Sequence, residues 1–223
     1  MTRRQAETEQ APPKHHLSVS ASPRHQILRN VWRVFCAIEL SETVRRRVMQ
    51  HIASLREAVP AAHASWSRDA NLHLTLKFLG EVSQDSVQSF SVATSRAVEG
   101  SAPFTILLEQ TGIFPKQGSP RVLWIGINDP EGKLGVLQSH LEEESARADF
   151  EKEGRRFNPH LTLARLRKPQ HARTLASAHK ELAFDPAEIT VSELLVIRSE
   201  LSNEGSKYTV ISRHPLYSRQ QLS

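Results

Sequence analysis

Asn71-Leu72-His73-Leu74-Thr75-Leu76 returns further along the chain as Asn158-Pro159-His160-Leu161-Thr162-Leu163, 87 residues on. Both copies alternate at a period of two, the pattern of a strand with one buried face. Leu72, Leu74 and Leu76 point one way, and His73 and Thr75 the other. In the second copy Leu161 and Leu163 take the core side, leaving His160 and Thr162 together. A spacing of this length is too long for a solenoid repeat and suits a two-lobed duplication. Each strand then offers one imidazole and one hydroxyl, roughly 6.5–7 Å apart on one face. Two such strands facing across a cleft would flank a small polar pocket with two imidazoles.

Outward from these copies the chain alternates short strands and helices. Residues 31–38 form a β-rich apolar run that reads as a buried strand. Ser41 is placed as an N-cap with Glu42 in the first turn, and Val44, Val48, Ile52 and Leu55 follow at helical spacing until Pro60. A short edge strand is expected at 65–68, the first motif strand at 71–80, and a helix from 83 to 100 with Val87, Phe90, Ala97 and Val98 on one face. Strands at 104–108 and 121–127 flank a Gly/Pro-rich loop, 112–120. A helix over 130–150 turns Leu134, Leu137 and Leu141 inward. The second motif strand, 160–165, is followed by a short helix near 174–182 and long strands at 189–198 and 207–211. This order predicts an α+β fold.

Thirty-nine per cent of the 223 residues are hydrophobic and 24% charged, which bounds the class to an ordinary globular chain with a sizeable core. No apolar run approaches the roughly 20 residues that span a bilayer, and the N-terminus lacks the apolar centre of a secretory signal. The lone cysteine, Cys36, excludes an intrachain disulfide and a multi-cysteine zinc site, so a reducing cytoplasm is the expected location. Of the net charge of +5, three charges sit in residues 1–30, where Arg3, Arg4, Lys14, Arg24 and Arg29 face only Glu7 and Glu9. That Pro-, Ser- and Gln-rich stretch reads as a disordered basic tail. The mildly basic remainder permits an anionic substrate without demanding one.

Phosphodiester hydrolysis needs a base to activate water and an acid to protonate the departing alkoxide. Histidine does both near neutral pH, and two neighbouring imidazoles titrate as a coupled pair. Threonine hydroxyls can donate to the non-bridging oxygens. Arg165, five residues after His160, could reach the phosphate, although its odd offset places it on the leucine side. Lys77, four residues after His73, is assigned to the surface.

Thr75 and Thr162 are also simply good strand formers. Phe35, Phe78 and Trp124 fit a core better than a ligand platform, and Arg45-Arg46-Arg47 reads as a solvated helix face. His51, His63, His140, His171, His179 and His214 share no local pattern and are assigned to surface or packing; His15, His16 and His25 lie in the tail. There is no Gly-x-Ser-x-Gly elbow, Walker loop or His-Glu-x-x-His, and the motif strands carry no carboxylate, so nothing invites a metal or another cofactor.

The paired motifs resemble the signature of the 2H phosphoesterase superfamily and, more closely, of RNA 2′,3′-cyclic phosphodiesterases, historically called 2′-5′ RNA ligases. The likeness covers residues 31–217. It includes Phe35-Cys36-Ala37-Ile38-Glu39-Leu40, the run from Asn71 to Gly80, Pro120-Arg121-Val122-Leu123-Trp124-Ile125-Gly126, and Phe157-Asn158-Pro159-His160-Leu161-Thr162-Leu163-Ala164-Arg165. Ser199-Glu200-Leu201, Gly205 and Tyr208 close it.

The resemblance implies a single bilobal domain over 31–217, two antiparallel sheets facing a central groove with helices outside, and a short C-terminal tail at 218–223. It implies hydrolysis of RNA 2′,3′-cyclic phosphate ends to 2′-phosphomonoesters without metal or ATP, and in reverse a 2′-5′ ligation. His73 matches the proton donor, His160 the proton acceptor, Thr75 and Thr162 the phosphate-binding threonines, and Arg165 a basic substrate contact. Phe35 falls where an aromatic approaches the terminal base. RNA is the implied partner, with no membrane and no obligate protein. The same residues would also serve a phosphodiesterase of small cyclic nucleotides or ADP-ribose cyclic phosphate, or a non-catalytic nucleotide- or RNA-binding module.

Overall fold

Val34 to Ile38 are all buried in β1 (Val31–Glu39), as an unbroken apolar strand covered on both faces requires. β1 is flanked by β3 (His73–Ser83) and β8 (Glu193–Ser202), and β9 (Gly205–Pro215) completes a four-stranded sheet of order β3-β1-β8-β9. A second sheet runs β2-β6-β5-β4-β7, built from β2 (Ala64–Trp66), β4 (Phe104–Phe114), β5 (Val122–Asn128), β6 (His160–Leu166) and β7 (Ala187–Val191). All pairings within the two sheets are antiparallel. This computed structural model describes residues 31–202 and 205–218. The tail at 1–30 lies outside them, as does 218–223 beyond Ser218.

Four α-helices complete the described chain. α1 (Glu42–Ala58) starts where the Ser41 hydroxyl accepts a bond from the Val44 N–H at 3.3 Å, and buries Val44, Val48, Ile52 and Leu55. α2 (Gln84–Val98) is capped likewise by Ser83. α3 (Lys133–Arg147) begins at the left-handed Gly132, with the Asp129 carboxylate accepting from the Gly135 N–H at 3.1 Å. α4 (Ala172–Leu182) is the last. α2 and α3 pack on each other and against the first sheet, whereas α1 and α4 cover the second. α1 therefore leaves a strand of one sheet and packs on the other.

Two expectations need correction. The long strand at 189–198 is two strands: β7 ends at Val191 in the second sheet, and β8 begins at Glu193 in the first. The switch falls at Ser192, whose carbonyl accepts from the Leu216 N–H at 2.8 Å. Strand 104–108 instead continues to Phe114, into the expected loop. Gln110 takes a left-handed backbone (φ 63°) at a bulge, and pairing resumes beyond it. Gly112 then lies under the Trp124 ring, where a Cβ would overlap Cζ2, so only glycine lets this strand run on.

One apolar cluster joins both sheets, from Val34, Cys36 and Leu74 to Leu161, Leu163 and Ile189. Phe35, Ala37, Leu195 and Ile197, the opposite face of β1 and β8, form a separate small cluster with Tyr208. No helix among the described residues is long and apolar enough to cross a membrane.

Candidate active site

The motif strands begin with the expected alternation. Leu74 and Leu76 are buried while His73 and Thr75 are accessible, and Leu161 and Leu163 are buried while His160 and Thr162 are not. Each strand then breaks step at the same place. In β3, Thr75 faces Ala37 and Lys77 faces Cys36, so Leu76 is an extra residue. In β6, Thr162 faces Trp124 and Ala164 faces Leu123, so Leu163 is extra. These are β-bulges, which re-aim the side chains that follow. Two consecutive residues turn inward (Leu76 and Lys77, Leu163 and Ala164), and the fifth residue after each histidine emerges on the histidine side. Those residues are Phe78 and Arg165. The offset that counted against Arg165 is removed by the bulge.

His73, Thr75, Phe78, His160, Thr162 and Arg165 all line one groove of about 850 Å³. β3 and β6, from different sheets, approach within 8 Å between Cα atoms. Among the described residues neither threonine hydroxyl has a protein partner, so both are available to a ligand.

The His73 ring stacks on Phe35 (centroids 4.6 Å apart, planes 28° apart) and meets the edge of Tyr208 at 5.2 Å. This burial lowers its pKa to about 4, with the backbone of Asn71 pulling weakly the other way. His160 Nδ1 lies 2.8 Å from the Asn158 carbonyl oxygen, which can only accept. Nδ1 therefore carries the proton, and Nε2 of the neutral ring keeps its lone pair. Phe114 and Trp124 border that ring at 5.1 and 6.2 Å.

Phe35 is 3% exposed and sits behind His73, away from the groove lining. Phe78, assigned to the core, is instead 53% exposed, with the Arg33 guanidinium 4.9 Å from its ring centre. Lys77, assigned to the surface, is buried: Nζ donates to Glu142 Oε2 at 2.6 Å and to the Glu151 carbonyl at 2.8 Å. Glu142 also accepts from the Glu153 N–H at 3.1 Å, tying the segment before the second motif to α3. His179 is buried as a packing residue, its ring 3.1 Å from His51 Nε2 and 3.0 Å from the Trp124 carbonyl. His214 is held between Ser95 and Ser212.

Sequence reasoning left Arg68 and Arg156 unremarked. Both line the groove, and neither they nor Arg165 have a carboxylate within 4 Å among the described residues, whereas Lys77 pairs with Glu142 and Arg155 with Glu153. The groove is thus electropositive, fit for an anion. No group of three or more His, Cys, Asp or Glu among the described residues is placed to hold a metal ion.

A family model described as the 2'-5' RNA ligase superfamily matches residues 41–203. The RNA 2',3'-cyclic phosphodiesterase of Methanothermobacter thermautotrophicus is 32% identical over 180 residues, covering 79% of this chain and 95% of that protein. The Escherichia coli protein of the same name is 30% identical over 184 residues, 82% and 96% of the two chains. Among solved structures, TT0787 of Thermus thermophilus superposes with a TM-score of 0.69 at 29% identity, covering 84% of this chain and 99% of that one. Apo E. coli LigT superposes at 0.67 with 27% identity, covering 85% and 99%.

Proposed function

The chain belongs to the 2'-5' RNA ligase superfamily, and from that premise we propose that its groove hydrolyses the 2′,3′-cyclic phosphate at an RNA end to a 2′-phosphomonoester. The observation that carries this reading is the pair of bulged strands, one from each sheet, that bring two His-x-Thr faces to a single electropositive groove.

In this reading His160 Nε2 takes a proton from water, whose oxygen bonds to phosphorus as the bond to the 3′ oxygen breaks. His73 delivers a proton to that departing oxygen. The hydroxyls of Thr75 and Thr162 and the guanidinium of Arg165 hold the non-bridging oxygens, where negative charge accumulates. His73 must be protonated to act as donor, yet burial against Phe35 and Tyr208 favours its neutral form. The phosphate supplies the missing counter-charge: an anion beside the ring favours imidazolium, so substrate binding charges the acid that the reaction uses. Phe35 acts through His73 by holding its ring, and the exposed Phe78 offers the base a stacking face. With a 5′-hydroxyl in place of water as the nucleophile, its oxygen bonding to phosphorus as the bond to the 3′ oxygen breaks, the same groups form a 2′-5′ linkage. The work belongs in the cytoplasm, where the buried thiol of Cys36 stays reduced.

The test is incubation with an oligoribonucleotide ending in a 2′,3′-cyclic phosphate, in EDTA, with identification of the monoester formed. His73→Ala and His160→Ala should each lower the rate by about 10²–10⁴-fold while the protein stays folded. Full activity in either variant would end the assignment, as would a 3′-phosphate product.

A further inference from the structure

Arg156 belongs to two cavities at once. With Phe157 and Gln138 it forms the wall that the central groove shares with a neighbouring cleft of about 610 Å³, which runs along α3 past Gly135 and Val136. The wall is anchored from beneath, because buried Lys77 holds the Glu151 carbonyl and Glu142 holds the Glu153 N–H. Its two arginines differ in what they are free to do. Arg155 is committed to Glu153 through Nε at 3.0 Å and Nη2 at 2.8 Å, whereas Arg156 is exposed with no carboxylate partner among the described residues. The cleft beyond is open: a Cβ on Gly135 would meet nothing within 4 Å, and Val136 is 55% exposed.

An RNA whose terminal phosphate lies between His73 and His160 must leave the groove, and it carries a negative phosphodiester as it does so. We propose that the cleft along α3 takes the nucleotide preceding the cyclic-phosphate end, with Arg156 holding the phosphate that joins the two. The preferred substrate is then an oligoribonucleotide, not a free cyclic mononucleotide. Arg68, the other groove arginine outside the motifs without a carboxylate partner among the described residues, lays its guanidinium beside Gly205. The proposed exit lies past Arg156, where the groove shares its wall with the cleft along α3. This inference rests on the cyclic-phosphate reading of the central groove.

The experiment compares kcat/KM for a 2′,3′-cyclic mononucleotide with that for a trinucleotide ending in the same cyclic phosphate. In the wild type the trinucleotide is preferred. Arg156→Ala lowers that preference roughly fivefold to tenfold, the worth of one solvent-screened charge-assisted contact, and does so through KM. Arg156→Lys keeps most of it, since a phosphate accepts either cation. The trinucleotide's salt dependence in the Ala variant is shallower by about 0.7 in the log–log slope, as for one lost single-strand phosphate contact. Val136→Glu, which puts an anion in the cleft without touching Arg156, lowers the same preference. An unchanged preference in both variants, or an equal loss on both substrates, overturns the inference. If the wild type hydrolyses neither substrate, the cyclic-phosphate reading fails instead. The cleft is then judged by fluorescence anisotropy with a trinucleotide ending in a 2′-phosphate, where Arg156→Ala must weaken binding by the same factor or the inference falls.

Discussion

Replacing Lys77 by methionine removes one partner of a buried ion pair while keeping the length of its aliphatic stem. The pair is short, at 2.6 Å, and its side chains are only 3% and 12% exposed. Removing one member of such a pair typically costs about 3–5 kcal/mol, because it strands the other charge out of water. Glu142 keeps two donors, Gln138 Nε2 at 3.2 Å and the Glu153 N–H at 3.1 Å, which places the loss at the low end, about 3 kcal/mol. For a chain of this size that lowers Tm by about 6–12 °C. The double variant Lys77→Met/Glu142→Met strands no charge and should recover about 2 kcal/mol of the deficit. Urea unfolding followed by tryptophan fluorescence gives both numbers. A Lys77→Met protein within about 0.5 kcal/mol of wild type, an ordinary surface effect, would refute the argument. So would a double variant no more stable than the single one.

Gly112→Ala should destabilise by about 2–3 kcal/mol and slow hydrolysis, because its Cβ displaces the Trp124 ring that borders His160; unchanged melting and activity would mean the ring has room to move. Thr75→Val and Thr162→Val keep the strand shape and remove one hydroxyl each; kcat should fall by about 10²-fold with Tm unaltered, and an equal loss of stability would make the threonines structural. Burial lowers the pKa values of His51 and His73 to about 4 and those of His179 and His214 in the same direction. The unfolded chain takes up protons from about pH 6.5 downward while the folded one resists until about 4. Stability is therefore full above about pH 6.5 and declines through that window, so urea midpoints should be lower at about pH 5 than at about pH 7.5. A flat profile would contradict the burial of these rings.

The histidine pair was legible because a period of two says which side chains share a face, and two copies with the same polar companions are hard to explain by packing. What the alternation could not reveal was its own interruption. A bulge adds one residue to a strand without altering the composition around it, so Phe78 and Arg165 reach the groove by a register shift that only pairing discloses. Lys77 misled for the same reason: charge argues for the surface, while the bulge turns it inward to a carboxylate 65 residues away. Helical spacing marked the buried faces of α1 and α2 correctly but carried nothing about which sheet each would cover. Apolar continuity across Ser192 likewise hid a change of sheet, because both flanking strands are buried.

The way the chain passes back and forth between the sheets bears on how the protein is made. When synthesis has reached the end of β5, neither sheet can be finished: β1 still awaits β8, and β5 awaits β6. The growing polypeptide carries three open strand edges, on β1, β4 and β5, rich in valine, leucine and isoleucine until its last third leaves the ribosome. Such edges invite pairing with other chains. A gene cut between β5 and α3 should accordingly yield two halves that are insoluble apart and regain structure only when expressed together.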